Sequence, residues 1–236
     1  MTLDGQVAIV TGAGQGVGRS IGLMFAGAGA SVVLVARTQS AIDKVAEECR
    51  QKGVRALAIA ADVADEATVK DIVAKTVAAF GRLDILVNNA GVIVPAAVVD
   101  TELKDWERVV ATNLTGAFLF MKYCGREMMA RRRGQIVNIS SAAAKVPFHE
   151  FGTYAATKAG MLGLTRVLAD EMKPYNVRVN AINLGLTDTP AVRNRLNVDP
   201  ADLLKPEQIA SVALFLASDA SSGMTGTDVD VFGNRA

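Results

Sequence analysis

Apolar residues in this chain alternate between two patterns. Short runs that are apolar on both faces predict strands over Gln6–Thr11, Ser31–Arg37, Val54–Ala60, Leu83–Asn88, Gln135–Ile139, Asn176–Ile182 and Asp228–Val231. Longer amphipathic runs lie between them. They predict helices from Gly18 to Ala28, Thr38 to Lys52, Asp65 to Phe80, Leu103 to Arg132, Tyr154 to Met172 and Pro206 to Ala217. Thr38 or Ser40 is placed to cap the second helix, Pro174 stops the fifth, and Pro206 sits near the first turn of the last. The long fourth helix is expected to break near Asn113–Gly116. Its end, Arg131-Arg132-Arg133-Gly134, offers cations to the helix dipole and a glycine stop. Strand alternating with helix predicts an α/β protein, a doubly wound parallel sheet of about seven strands with helices on both faces. No Pro/Gly/Ser linker divides the chain, so residues 1–236 read as a single domain.

Composition narrows this picture. Half of the 236 residues are apolar and 21% are charged, enough for one large core. A net charge of +1 gives no sign of a nucleic-acid partner or a membrane surface. Cys49 and Cys124 fall inside helical patterns without metal-ligand spacing, and His149 is the only histidine, so neither a disulfide framework nor a metal site is expected. The first strand begins within a few residues of Met1, and no apolar run reaches the length of a membrane span. A cytoplasmic protein is expected.

The first candidate chemistry is the loop Gly12-Ala-Gly-Gln15-Gly16-Val17-Gly18, between a strand and a helix. Glycines let the backbone turn sharply and let a pyrophosphate approach, while the helix N-terminus offers free N–H groups and a positive dipole end. No Lys-Ser/Thr follows, which disfavours a nucleoside-triphosphate loop. A dinucleotide is the expected ligand. The end of the second strand selects between its two forms. An acidic residue there suits the ribose 2′-hydroxyl of NAD and a basic one the 2′-phosphate of NADP. Arg37 and Thr38 stand there, so NADP(H) is favoured over NAD(H). Asp62 and Val63, after the third strand, are candidate adenine contacts.

The second candidate is Ser141, delivered by the fifth strand, with Tyr154 and Lys158 four residues apart on a helix. Residues at that spacing share a face, which places an ammonium beside the phenol. A neighbouring positive charge pulls the tyrosine pKa down from about 10, making it able to exchange a proton with an alcohol oxygen. Ser141 can hold the same oxygen. Val146, Phe148, His149, Glu150 and Phe151 lie between them and are candidates for a substrate pocket, with His149 read as a surface or interface residue.

Taken together these residues closely resemble the short-chain dehydrogenase/reductase family, over essentially the whole chain and in the same order. Thr11-Gly12-x-x-x-Gly16-x-Gly18 is similar to its cofactor loop, and Asn88-Asn89-Ala90-Gly91 to its fourth-strand motif. Asn113, Ser141, Tyr154 and Lys158 match its catalytic set, Ser140 being a structural neighbour. The resemblance implies a Rossmann fold and a ketone/secondary-alcohol oxidoreductase. It implies Tyr154 as acid or base, Lys158 lowering its pKa and holding the nicotinamide ribose, Ser141 polarising the carbonyl, and Asn113 holding a water. Gly185, Thr187 and Thr189 are implied nicotinamide contacts.

The chain departs from the family in four places. Gln15 stands where many NADP-preferring members have a basic residue. Leu184 replaces the proline of the usual Asn-Pro-Gly, restoring a backbone N–H and some freedom to that loop. The substrate lid, approximately 190–205, is short, which suggests an open site. The C-terminal run from Val229 to Ala236 ends soon after a motif that packs at subunit interfaces in the family, so a homotetramer is expected, with a dimer as alternative. The subgroup nearest in feel is the 3-oxoacyl-[acyl-carrier-protein] reductases. Arg131–Arg133 resembles its carrier-binding patch, but Lys173-Pro174-Tyr175-Asn176 replaces its second basic site, so an acyl carrier protein is not the favoured partner. Two alternatives remain open on sequence: a cofactor-binding sensor or scaffold of the same fold, and a sugar epimerase, for which the chain is short.

Overall fold

The computed structural model describes residues 1–193 and 199–233. In chain order the elements are β1 (Val7–Thr11), α1 (Gly16–Gly27), β2 (Ser31–Ala36), α2 (Gln39–Arg50), β3 (Ala56–Ala60), α3 (Glu66–Phe80), β4 (Ile85–Asn88), α4 (Leu103–Val110), α5 (Gly116–Arg131), β5 (Gly134–Ser141), α6 (Gly152–Met172), β6 (Val177–Leu184), α7 (Pro190–Arg193), α8 (Pro206–Ala217) and β7 (Asp228–Val231). All strands pair in parallel, in the order β3-β2-β1-β4-β5-β6-β7. This is a Rossmann fold. β1 and β4 are neighbours although the chain leaves them toward opposite edges of the sheet, which opens a crevice above their carboxyl ends.

Period-two alternation in the strands divides the core in two. Val10, Leu34, Val87 and Ile139 face α1, α2 and α8, where Ile21, Phe25, Ile42 and Leu216 pack. Ile9, Val33, Leu86 and Ile136 face α3, α5 and α6, where Ile72, Phe120 and Met161 pack. Burying each such side chain contributes about 1.5–3 kcal/mol. A polar thread runs through this apolar interior. Asn88 Nδ2 donates to Asn138 Oδ1 across β4 and β5 (2.9 Å), and Asn138 Nδ2 donates to Thr165 Oγ1 on α6 (2.9 Å). Buried polar groups without such partners would be costly, so the thread fixes the register of β4, β5 and α6.

Several boundaries differ from the pattern-based expectation. β5 continues through Ser141 and β6 through Leu184, because these two residues pair with each other and Leu184 also pairs with Val231 of β7. Leu184 therefore does not loosen its loop. A residue with a backbone N–H prolongs the sheet at a position where proline would end the ladder. The expected helix break is a π turn over Ala111–Thr115 that joins α4 to α5 without interrupting the helical path. The stop after α5 is Arg132 in the left-handed conformation (φ 53°), not Gly134. Gly134 instead begins β5, where a Cβ would lie 2.5 Å from Met128 Cγ. The adjoining arginines tie this end of α5 to its neighbours: Arg131 donates to the Gly81 carbonyl after α3 (3.2 Å), and Arg132 to that of Pro174 after α6 (2.6 Å). Among the described residues no helix is long and apolar enough to cross a membrane.

Candidate active site

The carboxyl ends of the strands open into a cleft of about 820 Å³. The catalytic and cofactor-binding candidates all line it except Gly18 and Asn113, whereas of the substrate-pocket candidates Phe148 and Phe151 line it and Val146, His149 and Glu150 do not. At one end, Gly12 (φ 66°) and Gly16 (φ 54°) turn the backbone as only glycine does without strain. A Cβ on Gly18 would sit 2.4 Å from both Asn89 Nδ2 and the Gly12 carbonyl, so α1 can approach β4 only with glycine there. Thr11 Oγ1 accepts from the N–H groups of Asn89 (2.9 Å) and Ala90 (3.0 Å), while Asn89 Nδ2 donates back to the Thr11 carbonyl (2.9 Å). The two loops are thus held as one wall.

This wall fits a dinucleotide. Gln15 occupies the N-cap of α1 without capping it through its side chain, and no acidic residue lies in the first turn. The free N–H groups of that turn and the positive end of the helix face the cleft, as a pyrophosphate requires. Arg37, just past β2, is exposed and has no ion pair or hydrogen bond among the described residues. Asp62 and Val63 line the cleft beyond it, with Asp62 Oδ1 accepting from the Ala64 N–H (3.0 Å). Thr38 stands at the N-cap of α2 but makes no capping bond through its side chain.

At the other end the Ser141 side chain lies beside the Tyr154 phenol, both lining the cleft, and favours its ionised form. Ser141, the last residue of β5, also accepts from the Ala143 N–H (3.2 Å). Ser140 points elsewhere, donating to the Lys158 carbonyl (3.2 Å), and so ties β5 to α6. Lys158 is buried, and its Nζ donates to the Ile139 carbonyl (2.7 Å) and lies 5.5 Å from the Tyr154 ring centroid. The sequence-based expectation that the ammonium depresses the tyrosine pKa does not hold. Burial raises the Tyr154 pKa, with only the neighbouring Ser141 side chain opposing it. Burial likewise depresses Lys158, to about 8. The physical reason is that desolvation penalises both charged forms, and the lysine directs its proton at a backbone carbonyl rather than at the phenol.

Asn113 is fully buried in the π turn. Its Oδ1 accepts from the Val92 N–H (2.7 Å), and its Nδ2 donates to the Val92 carbonyl (2.9 Å) and to Thr157 Oγ1 (3.3 Å). Its side chain therefore pins the segment after Gly91 against α6. The loop after Ser141 is clamped from outside. Lys145 Nζ bonds Asp230 Oδ1 (2.7 Å) and also pairs with Asp228, and Asn183 Nδ2 donates to the same two carboxylates (2.9 and 2.7 Å). Phe148 and Phe151 form an aromatic step to Tyr154, with successive centroids 6.1 and 6.2 Å apart. Both phenylalanines line the cleft, whereas the His149 side chain is 90% exposed and stands outside it.

Gly185 donates its N–H to the Val231 carbonyl (2.9 Å), and Thr187 Oγ1 donates to the Gly185 carbonyl (3.0 Å). Thr189 packs beside Gly16, where a Cβ would come within 3.1 Å of its Cγ2. Of the expected lid, Pro190, Ala191 and Val192 line the cleft, the Leu204 N–H returns to the Leu186 carbonyl (2.9 Å), and residues 194–198 lie outside the described residues. Two polar cleft residues escaped the sequence reading, Arg108 and Thr112. Their one sequence signal is their spacing along the helix before Asn113, which resembles any polar helix face.

Comparison with known proteins agrees with this architecture. A family model described as short chain dehydrogenase matches residues 6–199. A 3-oxoacyl-[acyl-carrier-protein] reductase of Thermotoga maritima is 36% identical over 242 residues, covering 99% of this chain and 98% of that protein. A cis-4-hydroxycyclohexanecarboxylate dehydrogenase of Sinomonas cyclohexanicum is 38% identical, covering 97% of this chain and 95% of its own. The crystal structure of a short-chain type dehydrogenase/reductase from Mycobacterium marinum superposes with a TM-score of 0.94 at 32% identity, covering 98% and 96% of the two chains. With the glycine wall at one end of the cleft and Ser141 beside Tyr154 at the other, the chain belongs to the short-chain dehydrogenase/reductase family, oxidoreductases that interconvert alcohols and carbonyls with a nicotinamide cofactor.

Proposed function

We propose that the protein is an NADP(H)-dependent oxidoreductase of a bulky, apolar ketone and its secondary alcohol, with Tyr154 as the acid/base. The observation that carries this reading is that Ser141, Tyr154 and the buried Lys158 line the same cleft as the uncapped α1 N-terminus. The glycine loop with Gln15 and Val17 holds the pyrophosphate, Arg37 and Thr38 the 2′-phosphate, and Asp62 and Val63 the adenine. Asn89, Ala90, Gly91, Gly185, Thr187 and Thr189 surround the nicotinamide half. The nicotinamide, when bound, supplies or accepts the hydride.

The residues of this chain handle the proton. Ser141 donates to the carbonyl oxygen and fixes its position. Tyr154, kept neutral by burial, gives its proton to that oxygen in reduction and takes one in oxidation. Lys158 hydrogen-bonds the cofactor ribose. Asn113 holds the Val92 segment and with it the floor of the site.

The Phe148–Phe151 step supports a substrate with alicyclic or aromatic bulk beside the carbonyl. Pro190, Ala191 and Val192 border it on the cleft. With Arg131 and Arg132 engaged with the Gly81 and Pro174 carbonyls, a free small molecule is favoured over an acyl carrier protein. We place the protein in the cytoplasm as a homotetramer. Exposed apolar side chains at Val99 (92%), Leu103 (70%) and Phe118 (45%) support the assembly.

The test follows loss of reduced-nicotinamide absorbance with acetoacetyl thioester and a panel of cyclic ketones, comparing NADPH with NADH. Turnover on a cyclic ketone with NADPH preferred is the expected result. A preference for NADH would overturn the cofactor reading, and activity confined to carrier-bound acyl chains the substrate reading.

A further inference from the structure

Arg108 is a third cation on the cleft, beside Arg37 and Lys158, and neither the fold nor the catalytic set accounts for it. It is exposed on α4, lines the cleft, and has no hydrogen bond or ion pair through its side chain among the described residues. A cation in the last turn of a helix usually serves the helix dipole. That explanation fails here, because α4 continues through the π turn into α5 and has no free carbonyl end at Val110.

The direction of Arg108 follows from the helix. Residues four apart share a face, and a π turn of slightly more than four residues keeps that relation. Arg108, Thr112 and Gly116 therefore line one side. Gly116 rests directly on Val63, since a Cβ there would lie 2.9 Å from the Val63 carbonyl oxygen. Thr112 and Arg108 rise above it along the same cleft as Asp62 and Val63. The adjacent face of the helix carries Asn113, which turns instead toward Val92 and Thr157 and so toward Tyr154. Arg108 thus belongs to the Asp62–Val63 end and not to the hydroxyl pair.

Given the dinucleotide reading above, on which this step rests, we infer that Arg108 closes the outer wall of the adenine pocket, its guanidinium stacking on the purine. A planar cation on an aromatic face is favourable and indifferent to the 2′ substituent. Two arginines then divide the adenosine end: Arg37 reads the 2′-phosphate and Arg108 grips the base in either cofactor form.

The test is calorimetric binding of AMP, adenosine 2′,5′-bisphosphate and nicotinamide mononucleotide to the intact protein, comparing wild type with Arg108→Ala and Arg37→Ala. The expected result is that Arg108→Ala weakens both adenosine ligands by a similar factor, about fivefold or more, and leaves the mononucleotide unaffected. Arg37→Ala weakens only the bisphosphate. Unchanged AMP binding in Arg108→Ala would overturn the inference, as would a loss confined to the bisphosphate or to the mononucleotide. Wild-type protein that binds AMP and the bisphosphate equally would sink the NADP(H) preference while leaving the Arg108 result to stand by itself.

Discussion

The two ends of the cleft are built on different physics. The adenosine end is made of backbone: glycines at positive φ, free helix N–H groups and the Thr11–Asn89 lattice, all fixed by the sheet. Its energetic cost is conformational and is met by residue choice. The hydroxyl end is made of side chains that are buried against their chemical preference. Lys158 is 3% exposed, and its pKa falls to about 8 because its charge is poorly solvated. The difference teaches where each end is vulnerable. The first fails when a Cβ is added, whereas the second is electrostatically strained as it stands and becomes more stable when its function is removed.

Lys158→Met sharpens this contrast with the largest effect. A shift from 10.5 to about 8 corresponds to a cost of roughly 3 kcal/mol at neutral pH. The cofactor-free variant should therefore resist denaturant better than wild type by about that amount while losing turnover. The sign depends on pH. The cost is fully present below about 8, where the buried lysine is charged, and is relieved between about 8 and 10.5, where the unfolded chain binds the extra proton. Denaturation curves should show the gap between variant and wild type closing over that window. A constant gap would mean that packing, not charge, sets the difference.

Arg37→Ala tests the adenosine end. Loss of one charge-assisted contact to the 2′-phosphate, about 1.5–3 kcal/mol, should lower NADPH affinity by about ten- to a hundredfold and leave NADH nearly unchanged. Fluorescence titration with both cofactors measures this, and equal losses for both would place Arg37 elsewhere. A smaller effect is expected from Phe148→Ala, a partly exposed residue on the substrate side. KM for a cyclic ketone should rise by about fivefold, with NADPH affinity untouched. A change in cofactor affinity instead would break the division of the cleft into two independent ends.

Much of the adenosine end was legible in the sequence because its parts are local. A glycine loop between a strand and a helix, with a cation after the next strand, can be read without knowing the fold. The catalytic residues were legible as spacing, but their electrostatics were not. Nothing in Tyr-x-x-x-Lys shows that Lys158 bonds the Ile139 carbonyl, or that burial raises the Tyr154 pKa. Leu184 was misread for a related reason. Its effect depends on Ser141 and Val231 being its neighbours in the sheet, a relation between distant segments. The same holds for Asp84, fully buried between the Val7 N–H and a two-point contact with Arg82. Arg132 took the left-handed position assigned to Gly134 because β5 needed the glycine against Met128.

The central claim is that Tyr154 moves the proton while the rest of the cleft holds the cofactor, and Tyr154→Phe tests it most directly. NADPH affinity and single-turnover ketone reduction are measured on the same preparation. The account predicts binding within about twofold of wild type and a rate lower by roughly 10²–10⁴-fold, the range for loss of a positioned acid. A variant that binds NADPH and reduces the ketone at the wild-type rate would contradict it.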